Sequence, residues 1–218
     1  MAKSAARNTT RHREAGAASR AETRRRLLQA AGAEFAERGY HAATVNRIAA
    51  RAGVTVQTLY LAWGSKRALL RAYMDASLSG NPDTPYADQL PHLLAPALDR
   101  SGTDARAAIK QFALLYRGLA ERAALGWRLY RDAAASDAEI AADWHRLQQL
   151  RHQTFAEFIR RIPAASRSAG LTPTAATDTA WAIASPETYE LLVRTAKYTL
   201  DEYEQWVATT LTTALLAP

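Results

Sequence analysis

A chain of 218 residues, 48% hydrophobic and 22% charged, can bury a core of its own and needs neither disulfides nor a structural metal to fold. It contains no cysteine, which excludes disulfides, thiolate zinc sites and cysteine nucleophiles together. Its formal charge of +7 is uneven: residues 1–26 hold eight Lys or Arg against Glu14 and Glu22, residues 27–80 are also net basic, and the remainder is slightly acidic. That asymmetry points to a polyanion partner for the first third, nucleic acid ahead of a membrane surface.

Residues 1–22 are rich in Ala, Arg, Ser and Thr without apolar periodicity, which predicts a flexible basic arm. From Thr23 to Arg38, Leu27, Leu28, Ala31, Phe35 and Ala36 recur at helical spacing, and Gly39 stands where that helix ends. Thr44 is a good N-cap for a second helix carrying Val45, Ile48, Ala49 and Ala52 and stopping at Gly53. Thr55 caps a short third helix to about Leu61, and Ser65 a fourth to about Leu78. Pro82, Pro85, Pro91 and Pro96 mark 80–103 as a boundary or link. Beyond it, Ile109, Phe112, Tyr116, Leu119 and Ala123 form one helical stripe, and Ile140, Trp144, Leu147, Phe155, Phe158 and Ile162 another. Thr174–Ala184 precedes Pro186, and Leu200, Tyr203, Val207, Leu211, Ala214 and Leu215 stripe the last helix. No strand-type alternation competes, so the fold class is all-α: a basic arm (1–22), an N-terminal helix-turn-helix domain of three core helices (23–78), and a larger C-terminal helical domain (79–218).

The spacing around Gly53 carries the chemistry. Two helices joined by a tight turn need a residue that tolerates positive φ, and Gly53 supplies it. Ile48, Val54 and Leu59 then form the shared core, closed by Leu28 and Phe35. With Leu59 inward, Thr55, Gln57, Thr58 and Tyr60 point largely outward on an uncharged helix. Such a second helix enters the major groove, where a Gln amide pairs in bidentate fashion with adenine and Thr methyls meet thymine methyls. The expected DNA-binding set is Arg24, Thr44, Thr55, Val56, Gln57, Thr58, Tyr60 and Lys66, with Thr44, Tyr60 and Lys66 at phosphates. A three-helix packing unit that binds no nucleic acid is the plainer alternative.

Phe35, Gly39, Tyr40, Thr44, Val45, Ile48, Ala49, Ala52, Gly53, Val54, Thr55, Thr58, Leu59, Tyr60, Ser65, Lys66, Leu69 and Leu70 together resemble the DNA-binding domain of the TetR family of transcriptional regulators. Gln57 stands where that family usually has a small residue, and Ala62–Trp63 where it has an aromatic or His followed by Phe. The ending WAIASPETYELLV…LDEYEQWVATTLTTALL resembles the C-terminal dimerisation region of a subset of the family. The resemblance implies a homodimer on a near-palindromic operator, whose C-terminal domain takes a small molecule and shifts the spacing of the recognition helices. The apolar stripe of the last helix, with Trp206 beside it, independently suggests a partner helix.

For the ligand, an apolar or aromatic molecule, the candidates are Tyr116, Trp127, Tyr130, Trp144, Phe155 and Trp181, against the plainer reading of each as core. Arg117, Arg128 and Arg131 are open to an anionic group or to solvent. His145 and His152 lie seven apart without a third ligand at metal spacing, so no metal is expected. No cofactor fingerprint or catalytic motif occurs, so no cofactor and no enzymatic activity are expected. No apolar run reaches the roughly 20 residues that span a bilayer, and the N-terminus lacks a signal-peptide core, which predicts a cytoplasmic protein without a membrane partner. The expected function is a ligand-responsive, sequence-specific DNA-binding regulator, a repressor. The alternative is a helical small-molecule-binding or adaptor protein with only non-specific DNA affinity.

Overall fold

The computed structural model describes residues 2–79 and 104–217, with side chains from residue 15 onward. The proline-interrupted link expected at 80–103 lies outside the described residues. No strand occurs among the described residues; one isolated antiparallel bridge joins Arg167 and Leu216. The chain divides into two compact units, Met1–Met74 and Asp75–Pro218.

In the first unit α1 runs Ala2–Ala42, broken at Gly39 (φ 71°), followed by α2 (Val45–Arg51), α3 (Val56–Trp63) and α4 (Lys66–Ser79), within which the unit boundary falls. The stretch expected as a flexible arm is drawn as helix from Ala2. Extending a helix already anchored by packing carries no new nucleation cost, and Ala and Arg are strong intrinsic helix formers. Glu22 and Arg25 pair at 2.7 Å and the Thr23 hydroxyl donates to the Ser19 carbonyl, both within this part of α1.

The core of this unit is the one the periodicity predicts. Leu27, Leu28, Phe35, Ile48, Leu59, Leu69, Leu70 and Met74 are buried, each worth roughly 1.5–3 kcal/mol relative to exposure. Val54 is only half-buried at the turn. α1 meets the Tyr73 ring so closely that a Cβ on Gly32 would lie 2.6 Å from Tyr73 Cε2. Any larger residue would have to displace that ring.

The second unit contains α5 (Ala105–Ala134), α6 (Ala138–Arg161), a 3-10 turn (Ala164–Ser166), α7 (Pro173–Ile183), α8 (Pro186–Tyr189), a π-helical turn (Glu190–Thr195) and α9 (Leu200–Leu215). Side-chain oxygens cap five of these helices: Asp104, Asp137, Thr172, Ser185 and Thr199, the last in a full capping box with Glu202. The Thr199 N–H and hydroxyl hold the Glu202 carboxyl below its ordinary pKa.

Ile109, Phe112 and Tyr116 of α5 pack on Phe155, Phe158 and Ile159 of α6, with Ala176, Ala180 and Ala184 at the α7 contact. Phe112 stacks on Phe158 at 4.1 Å and meets Phe155 edge-on at 5.2 Å. Tyr203, Val207, Leu211 and Leu215 of α9 are fully buried in this same core. That corrects one expectation: the stripe of the last helix is spent inside its own domain, so it does not argue for a partner helix. Periodicity reports that a face is covered, not what covers it.

Candidate nucleic-acid interface

The geometry begins at the α2–α3 turn. Gly53 has φ 65°, its N–H donates to the Ala50 carbonyl at 3.0 Å, and the Val54 N–H donates to Ala49 at 3.0 Å. Thr55 is extended (φ −79°, ψ 157°) and its Oγ1 accepts from the Thr58 N–H at 3.1 Å, which starts α3 as expected. Thr44 does the same for α2 by accepting from Arg47 N–H at 3.3 Å, and Ser65 for α4 by accepting from Ala68 N–H at 3.0 Å.

Leu59 is fully buried, and this fixes the rotation of α3. Thr55 and Gln57 stand exposed, Tyr60 is 49% and Leu61 82% exposed, and Val56 and Thr58 are half-buried. The outward face therefore offers an amide, two threonine hydroxyls, a phenol and an apolar side chain. No residue of α3 is charged. Amide and hydroxyl groups on such a face can pair with base edges, and its methyl groups with thymine methyls.

Two residues of the expected DNA-binding set make contacts within the unit. Lys66 Nζ donates to the carbonyls of Tyr40 at 2.9 Å and Ala43 at 3.0 Å and sits 4.2 Å from the Tyr40 ring centroid, tying the start of α4 to the α1–α2 turn. Arg24 Nη1 donates to the Ala62 carbonyl at 2.6 Å, and its guanidinium lies 3.7 Å above the Trp63 ring. Carbonyl oxygens left over at a helix C-terminus attract cations, so a long basic side chain on a neighbouring helix is drawn there. Arg26 repeats the pattern at the end of α2 by donating to the Ala52 and Gly53 carbonyls. Arg24 thereby holds the end of α3, Arg26 the end of α2 and Lys66 the start of α4.

The cations left at the surface are different ones. Arg20 is exposed and, with Arg24, Thr58, Leu61 and Ala62, lines an open cleft of about 400 Å³ between α1 and α3. Arg47, exposed in the first turn of α2, has no acidic partner among the described residues. Arg51, by contrast, is consumed by Glu37 at 2.7 Å and Glu34 at 3.2 Å. Neither Arg20 nor Arg47 belongs to the set expected from sequence. The signal available for Arg47 was its place in the turn that Thr44 caps.

A profile described as "Bacterial regulatory proteins, tetR family" matches residues 27–73. The N-terminal unit belongs to the TetR family. This TetR-type unit is 48% identical over 48 residues to the uncharacterized HTH-type transcriptional regulator YdgC of Bacillus subtilis, which is 22% of this chain and 25% of that protein. The chain is 32% identical over 124 residues to the HTH-type transcriptional activator FasR of Mycolicibacterium smegmatis, or 56% of this chain and 52% of that one. These matches span a quarter and about half of the relatives' own lengths. In fold the likeness is wider. NalD of Pseudomonas aeruginosa, the secondary repressor of the MexAB-OprM efflux pump, superposes with a TM-score of 0.66 at 20% identity over 89% of this chain and 96% of its own. SmeT, in complex with triclosan, gives 0.68 at 20% identity over 89% and 92%. The TetR-type helix-turn-helix followed by a helical C-terminal domain is thus the fold of this chain.

The expected ligand residues of the C-terminal unit fall into separate groups. Tyr116 and Phe155 lie 6.0 Å apart in the core, with Trp181 reached through Arg151, whose guanidinium is 5.5 Å from the Phe155 centroid and 4.9 Å from that of Trp181. Trp127 and Trp144 form an edge-to-face pair at 5.4 Å, and Tyr130 is buried one turn after Trp127. Arg117, left open between ligand and solvent, is neutralised by Asp201 at 2.6 Å and Glu204 at 2.9 Å, which raises its pKa. His152 pairs with Asp178 at 2.7 Å. No helix among the described residues is long and apolar enough to cross a membrane.

Proposed function

We propose that the chain is a ligand-responsive transcriptional repressor that binds a near-palindromic operator as a homodimer. The observation that supports this reading is the uncharged outward face of α3, with Thr55, Gln57 and Tyr60 exposed, the helix start capped by Thr55 itself and the Ala62 carbonyl at its far end held by Arg24 of α1. Gln57 reads adenine, the Thr55 and Leu61 methyl groups meet thymine, and Arg20 and Arg47 neutralise flanking phosphates. One such helix covers too few base pairs for a unique site, and a two-fold pair of half-sites supplies the rest.

Repression needs no more than occupancy of the operator. FasR is a transcriptional activator and NalD a repressor, so relatives point both ways. The SmeT–triclosan complex supports a small molecule as the second partner. A ligand that prefers the subunit spacing incompatible with DNA lowers operator affinity by its differential binding to the two states, typically about 1–3 kcal/mol.

Selection of random duplexes on the full chain tests the proposal. An enriched inverted repeat with half-site centres roughly 10 base pairs apart, or a multiple of that, supports it. Enrichment of no motif, at a salt concentration where the protein still retains DNA, contradicts it.

A further inference from the structure

An arginine inside a folded domain is normally matched by a carboxylate, because an unpaired buried cation costs several kcal/mol. Arg151 of α6 is only 7% exposed and meets neutral partners alone. Nη1 donates to Gln148 Oε1 at 2.8 Å, and Nη2 donates to the carbonyls of Trp181 and of Ala184, the latter at 3.3 Å. No carboxylate among the described residues forms an ion pair with it. Its Nε–H has no acceptor.

Two more polar groups in the same unit are buried without a partner: the Tyr203 hydroxyl and the Trp181 indole N–H. All three can donate, and two of them can do nothing else. Arg151 is within hydrogen-bonding reach of the Tyr116 hydroxyl and within electrostatic reach of Tyr203, opposing the upward pKa shift that burial gives both phenols. Protonated, both remain donors. Glu187, which is exposed on α8 and acts on Tyr116, does not pair with the guanidinium.

The backbone beside this group is unusual. Tyr189, edge-on to Tyr203 at 5.2 Å, is the last residue before the π-helical turn Glu190–Thr195. The turn is closed by Tyr198 N–H on the Leu192 carbonyl, with Lys197 held at φ 64° where glycine is usual. Wide turns of this kind are rare and occur mostly at functional sites. A surplus of donors and one fixed positive charge beside the rings of Phe155 and Trp181 are complementary to an oxyanion carried on an apolar body.

We propose that the C-terminal unit binds an apolar monocarboxylate, its carboxylate received by Arg151 and Tyr203 and its hydrocarbon body against the rings of Phe155 and Trp181. The inference rests on the ligand-responsive reading above and names the class of ligand. An ordered water bridging the orphan donors is the competing occupant.

Calorimetric titration of the full chain with matched probes decides it: decanoate against decanol, and naphthoate against naphthamide. The expected result is that at least one carboxylate binds about tenfold or more tighter than its neutral partner, since a charge-assisted bond is lost with the charge. Tyr203→Phe should reduce that preference severalfold while leaving the melting temperature unchanged or higher, because an unpaired buried hydroxyl contributes nothing to the fold. Arg151→Gln should abolish the preference. If Arg151→Gln does not fold, Tyr203→Phe and the wild-type ratio still decide.

Equal affinity for charged and neutral probes, binding of none of them, or an unchanged preference in Tyr203→Phe overturns the assignment. The DNA selection is independent of all three outcomes. An enriched operator without carboxylate preference sinks only this inference; carboxylate preference without an enriched operator sinks only the regulatory reading.

Discussion

The Arg24 guanidinium lies 3.7 Å above the Trp63 ring while its Nη1 donates to the Ala62 carbonyl at 2.6 Å, so one side chain of α1 closes the far end of α3. A cation–π contact contributes about 0.5–2 kcal/mol and a charged hydrogen bond about 1.5–3. Arg24→Gln should therefore lower the stability of the first unit by about 1–3 kcal/mol in urea melts, since both contacts depend on the guanidinium. Unchanged stability together with a lower salt dependence of DNA binding would instead place Arg24 at the phosphates.

Gln57 is exposed and its side chain supports nothing in the fold. Gln57→Ala should leave the melting temperature alone and relax sequence preference at one position per half-site, by about 1–3 kcal/mol. Competition binding against single-base operator variants measures this. A uniform loss across all variants would place Gln57 at the backbone.

Lys66, Arg20 and Arg47 should separate by observable. Lys66→Met deletes two hydrogen bonds to the Tyr40 and Ala43 carbonyls and should cost about 1–3 kcal/mol of stability. Arg20→Ala and Arg47→Ala, each removing an exposed cation, should leave stability intact and reduce the slope of log affinity against log salt by about 1 per subunit. Melting curves and salt titrations on the three variants check the division; a slope change confined to Lys66→Met would reverse it.

Gly53 joins the two helices at φ 65°, and a Cβ there would stand 3.0 Å from Arg26 Nη2. Gly53→Ala should destabilise the domain by about 1–2 kcal/mol from the left-handed backbone alone. Gly53→Asn should lose less, because Asn tolerates that region better. Equal losses from the two substitutions would show that the Arg26 contact, not the backbone, dominates.

Local chemistry was the legible part of the sequence. Thr44, Thr55 and Ser65 cap their helices, Gly53 takes positive φ and Leu59 turns inward because each depends on neighbours within a few residues. The roles of Arg24 and Lys66 were not legible, since a long basic side chain finds its acceptor on another element, 38 and 26 residues away. Arg151 was hidden for a similar reason. An arginine on a helix otherwise rich in polar residues reads as solvated, and only the packing of α7 over it makes it buried. The Leu200–Leu215 stripe was legible as a buried face but not as one buried in its own domain. The helical course of residues 2–22 is not legible in the composition, which reports burial, whereas extension of an existing helix requires none.

The central claim is that the uncharged face of α3 discriminates sequence and that the surrounding cations only anchor it. The affinity of the full chain for its selected operator, divided by that for a scrambled duplex of equal length, measures this directly when followed across a salt series. A ratio of about 10³ or more at physiological salt, on a background of non-specific affinity that falls steeply with salt, is the predicted result. A ratio near one at every salt concentration would contradict it, leaving the basic N-terminal third as a non-specific polyanion binder.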